Sequence, residues 1–233
     1  MGKVKNVTSF SDEEVIIEFT DYITAGNGKK KEEIRGKGKV CFDINNILFN
    51  YVMTEGVKTH FIKACEGYKI LAVKLDMIPI EVVCRNVIAG SFARNLGLKE
   101  GEDLIEPIID FYYKKDELND PQITENHITA LNILTETQIN EIKLITLKIN
   151  EILKELFEKI NIKLVDFKIE VGINKKNEII LGDELSPDNM RLWENNESTT
   201  KSLDKDLYRK GILQNHEVIK TYEYVYKKLK ETQ

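Results

Sequence analysis

Cysteine, proline and tryptophan are scarce in this chain of 233 residues, at three, four and one. Cys41, Cys65 and Cys84 are odd in number, lack C-x-x-C spacing and sit in apolar contexts. That excludes a disulfide framework and a zinc site, and it predicts reduced core thiols. Nowhere do about 18 apolar residues run uninterrupted, so no membrane-spanning helix is expected. The opening "MGKVKNVTSF" has no apolar run behind its early lysines, and Asn6 stands where a myristoylation signal requires Ser or Thr. The expectation is a cytoplasmic protein with no membrane partner. Basic residues are not in excess either: 34 stand against 39 acidic ones, for a net charge of −5. Nucleic acid is therefore not attracted by the chain as a whole, and any anionic ligand has to be held by local groups. There is no internal repeat, low-complexity tract or proline-rich linker. The length suits one sizeable core or two small lobes sharing a cleft, and a lobe boundary near residue 75 would be a tight hinge.

What is present begins with period-two alternation in "EEVIIEFT" (13–20), "KTHFIKA" (58–64) and "YKILAVKL" (68–75), which predicts strands. Between them, the Gly-, Lys- and Glu-rich stretch 20–38 predicts a loop whose tip at Asn27 is flanked by glycines, leading into a helix over 40–56. Residues 78–97 start as a strand and end as a helix entered through Ala89-Gly90-Ser91. The longest helix is announced by a capping box, Thr135 with Gln138, followed by Ile139, Ile142, Ile145, Ile149, Ile152, Leu156 and Ile160 at three- and four-residue steps to about residue 161. Two further helices are predicted over 202–211 and 215–231.

The segments "VDFKIEVG" (165–172) and "IILGDELSPDNMRLW" (179–193) read as buried strands, yet they carry Asp166, Lys168, Glu170, Asp183 and Glu184. Ionised groups in a sheet interior are costly unless they meet a partner or a metal. Joined by the turn "NKKN" (174–177), the two segments predict an antiparallel hairpin with Asp166, Lys168 and Glu170 on one face and Phe167, Ile169 and Val171 on the other. A two-residue loop centred on Lys175-Lys176 or on Lys176-Asn177 puts Asp183 on the face of Glu170. In those registers it lies opposite or one diagonal step away, roughly 4.5–8 Å between Cβ atoms. Such a pair suits Mg²⁺, which takes one or two carboxylates and completes its shell with water and phosphates. Lys168 on the same face would hold a developing phosphoryl charge; otherwise it pairs with Asp166 or Asp183 at a solvated face.

Other polar groups lie at element ends that suit anions. Ser186-Pro187 reads as an N-cap and first helical position, opening a turn with Asp188 and Arg191. Arg85 ends a strand, Ser91 begins the next helix, and Lys3 and Lys5 share one side of an N-terminal strand.

The segments "GKVK" (2–5), "TAGNGKK" (24–30), "IPIEVVCRNVIAGS" (78–91), "DPQIT" (120–124), "VDFKIEVG" (165–172), "LGDELSPDNMRLW" (181–193) and "KDLYR" (205–209) together resemble the SAICAR synthetase family, in the family's order and over nearly the whole chain. The resemblance implies an α+β fold: an N-terminal antiparallel β lobe, residues 1–75, and a larger α/β lobe, 76–233, with an ATP cleft between them, related to kinase and ATP-grasp folds. It implies an ATP- and Mg²⁺-dependent ligase of purine biosynthesis that joins L-aspartate to carboxyaminoimidazole ribonucleotide, and a homodimer. It casts Lys3, Lys5 and Lys74 as nucleotide contacts, Met77 as the hinge residue beside adenine, and Glu170 and Asp183 as metal ligands. Asp120 would serve a second metal or the substrate carboxylate. Arg85, Ser91 and Arg191 would clamp the ribonucleotide 5′-phosphate, while Glu81, Asp166, Lys168 and Asp188 would line the imidazole and its carboxylate. Many members carry Asp where this chain has Asn27 and His where it has Asn119. A kinase-like phosphotransferase acting on another small substrate would use the same lysines and the same carboxylate pair.

Overall fold

The computed structural model describes residues 4–25, 30–195, 200–205 and 215–232. In chain order these form β1 (Lys5–Ser9), β2 (Glu14–Phe19), β3 (Tyr22–Ala25), β4 (Lys30–Glu33), α1 (Lys37–Thr54), β5 (Phe61–Cys65), β6 (Lys69–Val73) and β7 (Asp76–Val87). There follow α2 (Gly90–Leu96), β8 (Asp103–Tyr113), a 3-10 turn, β9 (Gln122–Ile123), α3 (Glu125–Ala130), α4 (Glu136–Glu158) and β10 (Ile162–Ile173). The last elements are β11 (Ile179–Gly182), β12 (Met190–Asn195), β13 (Thr200–Ser202) and α5 (Asn215–Lys230). The fold is α+β. One sheet runs β1-β2-β6-β5, a larger one runs β13-β12-β10-β7-β8-β9 with β11 paired to β10, and β3 and β4 make a separate hairpin.

The central strands β7 and β10 explain why one sheet serves both core and chemistry. Ile80, Val82 and Cys84 on β7, with Phe167, Ile169 and Val171 on β10, are all buried in the apolar core. The alternate positions carry the charges, because successive strand residues point to opposite faces. Antiparallel pairing then sets Glu81 opposite Glu170 and Arg85 opposite Asp166. Along one face of α4, Ile139, Ile142, Ile149, Leu153 and Leu156 are buried in the same core, and Thr135 and Gln138 close the expected capping box. Where β7 and β10 both slip register, next to Arg85 and to Asp166, the Asn86 amide donates to Asn150 Oδ1 at 2.8 Å and to the Leu164 carbonyl at 3.2 Å.

Three expectations need correction. The β10–β11 hairpin has neither two-residue loop: Glu170 faces Gly182, and Asn174 N–H bonds to the Glu178 carbonyl at 3.1 Å around Lys175, Lys176 and Asn177. Asn177 is left-handed at φ 61°, the conformation that ends a three-residue hairpin loop. The segment 179–193 is not one strand, and Arg191 sits in β12 rather than on a helix, since Ser186-Pro187 opens only a single turn. Residues 200–202 are strand where a helix was expected from 202, and 206–211 lie outside the described residues, as do Lys3 and the glycines around Asn27.

Candidate active site

On the charged face of β10, the Lys168 ammonium donates to Glu81 at 2.7 Å and to Glu170 at 3.3 Å. Two carboxylates set directly opposite one another would repel, and Lys168 lies between them. Lys114, just beyond β8, also pairs with Glu170. Burial favours the neutral amine of Lys168, but Glu170, Glu81 and Asp183 outweigh it and hold the group firmly as an ammonium. Glu170, largely buried, is in turn kept below the usual carboxylate range by Lys168 and Lys114.

Asp183 does not reach this cluster by strand alternation, which in the observed register would turn it to the core side. It leaves β11 in the left-handed conformation, φ 56°. Its carboxylate pairs with Lys5 at the start of β1, and Lys5 also donates to Glu184 at 2.8 Å. The two carboxylates raise the Lys5 pKa despite its burial. Glu184 is fixed from behind by the Ser186 hydroxyl at 2.8 Å.

Four residues back along β10, a second cluster is built on Asp166. Arg191 pairs with its Oδ2, and Arg85 Nη1 lies 3.7 Å from the same oxygen. Arg85 also donates to Asp110 at 2.6 Å and to the Tyr112 hydroxyl at 2.8 Å, and its guanidinium stands 5.7 Å from the Phe92 ring centre. Gly90 admits Arg191 to the start of α2, since a Cβ there would lie 2.5 Å from Nη2. Arg85, Arg191 and the Gly90-Ser91 turn, distant in sequence, are thus brought together.

Asp188 is buried in a different environment. It pairs with Lys37 at the start of α1 and accepts from the Tyr222 hydroxyl of α5 at 2.9 Å. Lys37 and Lys205 overcome desolvation and hold it well below the usual carboxylate range. Met77 stands at the start of β7, 42% exposed, with its sulfur against Gly182. Lys74 is exposed between the two sheets, its backbone N–H on the Glu13 carbonyl at 2.8 Å. Asp120, left-handed at φ 48° like its neighbour Asn119 at 58°, accepts from the Lys115 N–H at 2.8 Å. Asn is among the residues that tolerate that conformation.

Among the described residues no three His, Cys, Asp or Glu side chains gather as a metal cluster, so Asp120 is not joined to Glu170 and Asp183. Those two, both acting on Lys168, are an all-oxygen pair whose chemistry fits Mg²⁺ bound largely by phosphate and water. The sequence reading missed Lys37, Lys114, Asp110, Tyr112 and Tyr222. Lys114 follows the aromatic end of β8 in "FYYKKDE", a pattern with no periodicity to distinguish it from a solvated charge. Tyr222 lies in α5, which the sequence predicted as a helix over 215–231 with no role assigned to its side chains.

The sequence pattern of the SAICAR synthetase family matches residues 1–227. A phosphoribosylaminoimidazole-succinocarboxamide synthase of Thermococcus sibiricus is 50% identical over 230 residues, covering 98% of this chain and 95% of the relative. A solved SAICAR synthetase in complex with ADP superposes with a TM-score of 0.93 at 42% identity, covering 98% of this chain and 96% of that one. The phosphoribosylaminoimidazole-succinocarboxamide synthase of Ehrlichia chaffeensis also superposes at 0.93, with 43% identity over 99% of this chain and 97% of its own. With its whole length matched in sequence and in fold, the chain belongs to the SAICAR synthetase family, ATP-dependent ligases of purine biosynthesis.

Proposed function

We propose that the protein joins L-aspartate to the carboxylate of carboxyaminoimidazole ribonucleotide, giving SAICAR, ADP and phosphate by way of an acyl phosphate. The observation that carries this reading is the pair of charge clusters on one strand. Asp166 with Arg85 and Arg191 forms one, and Glu170 with Lys168, Glu81 and Asp183 the other. Four residues of β-strand separate them by roughly 13 Å, room for a ribonucleotide gripped at its phosphate while its base reaches the reacting end.

A carboxylate is a poor acyl donor because its leaving group would be oxide. In the proposed first step its oxygen attacks the γ-phosphorus of ATP and ADP leaves. In the second, the aspartate amine attacks the acyl carbon, phosphate departs and the nitrogen loses a proton. Lys3, Lys5 and Lys74 contact the nucleotide in this reading, and Met77 borders its adenine, between lobes formed by residues 1–75 and 76–233. Glu170 and Asp183 hold Mg²⁺, which when bound neutralises phosphate charge during transfer. Asp120 serves a second metal or the substrate carboxylate. Lys168, held as an ammonium, is an electrostatic partner of the substrate carboxylate rather than a base, and Glu81, Asp166 and Asp188 join it in lining the imidazole and that carboxylate. Arg85, Arg191 and the Ser91 hydroxyl grip the 5′-phosphate through guanidinium forks.

Release of ADP in the presence of carboxyaminoimidazole ribonucleotide, measured with and without L-aspartate, tests the reading. Sustained turnover is expected only with aspartate, together with product of the added succinate mass. Sustained ADP release that ignores aspartate would favour a phosphotransferase instead.

A further inference from the structure

Arg85 stops short of the carboxylate it faces. Its Nη1 lies 3.7 Å from Asp166 Oδ2, too far for a hydrogen bond, although a guanidinium and a carboxylate left to themselves close into a bidentate pair. What restrains it lies on its other side. Nε donates to Asp110 Oδ2 at 2.6 Å and Nη2 donates to the Tyr112 hydroxyl at 2.8 Å, and together these bonds occupy the side-on edge of the group. Both partners come from β8: Asp110 stands opposite Val83, one diagonal step from Arg85 on the same face, and Tyr112 stands opposite Glu81. The next strand fixes Asp110 in turn. Gln122 of β9, opposite Tyr112, donates its amide to Asp110 Oδ1 at 2.9 Å, so each oxygen of that carboxylate has its own donor. Arg85 is 4% exposed and its guanidinium lies over the Phe92 ring, which leaves it few other positions. Among the described residues no hydrogen bond uses its end-on edge, Nη1 with the second N–H of Nη2.

We infer that Asp110, Tyr112 and Gln122 are positioning residues, which hold Arg85 by its side-on edge so that its end-on fork is kept off Asp166 and offered to the ribonucleotide 5′-phosphate. A phosphate entering beside Arg191 then meets a fork already aimed, and it does not first have to break an Arg85–Asp166 pair. Without the β8 contacts, Arg85 would swing onto Asp166 and the two charges would satisfy each other. The inference rests on the reading of Arg85 as a phosphate contact for the identity of the anion, not for the geometry that holds the guanidinium.

Two substitutions separate positioning from packing. Tyr112→Phe keeps the ring and removes the hydroxyl, and Asp110→Asn keeps the shape and removes the charge. Steady-state kinetics are measured with carboxyaminoimidazole ribonucleotide, and with the same compound lacking its 5′-phosphate, while Tm checks folding. In Tyr112→Phe, KM for the ribonucleotide should rise about fivefold or more. Its kcat, its KM for ATP and its Tm should change little, and kcat/KM for the dephosphorylated compound should match the wild type. Asp110→Asn should shift KM in the same direction, with a lower Tm. A cycle with Arg85→Lys, which keeps the balancing charge but has no side-on edge, shows whether Tyr112 acts through Arg85. Adding Tyr112→Phe to Arg85→Lys should raise KM for the ribonucleotide no further. An unchanged KM for the ribonucleotide in either folded variant overturns the inference, as does a Tyr112→Phe effect that persists in full on the Arg85→Lys background. If the effect vanishes on that background but extends equally to the dephosphorylated compound, Tyr112 still positions Arg85 and it is the phosphate assignment that fails.

Discussion

Arg191 reaches the start of α2 only because Gly90 has no side chain, and it shares Asp166 with Arg85. The two guanidinium groups are balanced by Asp166 and Asp110, and each is a planar fork of the kind that matches a phosphate. Lysine would supply the charge without the fork. Arg191→Lys is therefore expected to raise KM for the ribonucleotide about tenfold or more, on the scale of roughly 1.5–3 kcal/mol for a hydrogen bond to a charged group. KM for ATP should stay within about twofold. Steady-state kinetics with each substrate varied in turn checks this, and the opposite pattern would move Arg191 to the nucleotide end. Cys84, next to Arg85, takes no part: burial pushes its thiol up to about 12, which leaves it protonated and unreactive.

The elements differ in how much of themselves they wrote into the sequence. The link from β6 to β7 presses on the hairpin at two glycines. A Cβ at Gly172 would lie 2.8 Å from Leu75 Cβ and 3.0 Å from the Asp76 carbonyl, whereas one at Gly182 would meet only the ends of the Leu75 and Met77 side chains at 3.3 Å. Gly172→Ala must displace atoms close to the backbone and should cost about 1–3 kcal/mol, with Gly182→Ala milder. Urea unfolding of both variants compares them, and equal losses would mean that the link yields as a unit. Nothing in the sequence announced this contact, because it joins residues distant along the chain. By contrast α4 was legible almost to its ends, since its cap and its apolar stripe are local signals. The charged face of β10 was legible for the same reason. The register of its hairpin was not, because it turns on the single left-handed residue Asn177, and the place of Arg191 was hidden because Ser186-Pro187 imitates a helix start that the chain uses for one turn only.

At the scale of the molecule, both sheets and α1, α4 and α5 contribute to one apolar core, and the Lys37–Asp188–Tyr222 group ties α1 and α5 to the turn before β12. The folded pKa of Asp188 is depressed, so the stability it adds is present above the ordinary carboxylate value near 4 and is lost as pH falls below it. Lys37 is raised, so its share is present below the ordinary lysine value and lost only as pH climbs above it. Between about pH 5 and 9 the pair acts at full strength. Asp188→Asn, which strands a buried ammonium, should cost about 3–5 kcal/mol in that window. The gap from the wild type should narrow below about pH 4, where Asp188 takes up a proton in the unfolded chain while the folded carboxylate stays ionised. Urea midpoints for the two proteins at pH 7 and pH 3 test this, and a gap independent of pH would mean that Asp188 acts through shape rather than charge.

The hydroxyl that completes this group comes from Tyr222, 34 residues after the carboxylate it serves. At roughly 5–20 residues per second of protein synthesis, that interval lasts about 2–7 s on the ribosome. During it the nascent chain already holds Arg85, Asp166 and Arg191 but lacks the helix that packs on α1 and brings Val218, Tyr222, Val225 and Leu229 into the core. Translation that pauses between β12 and α5 therefore exposes an apolar surface that the finished enzyme never shows, at the stage when a chaperone or a protease has its best access to the chain.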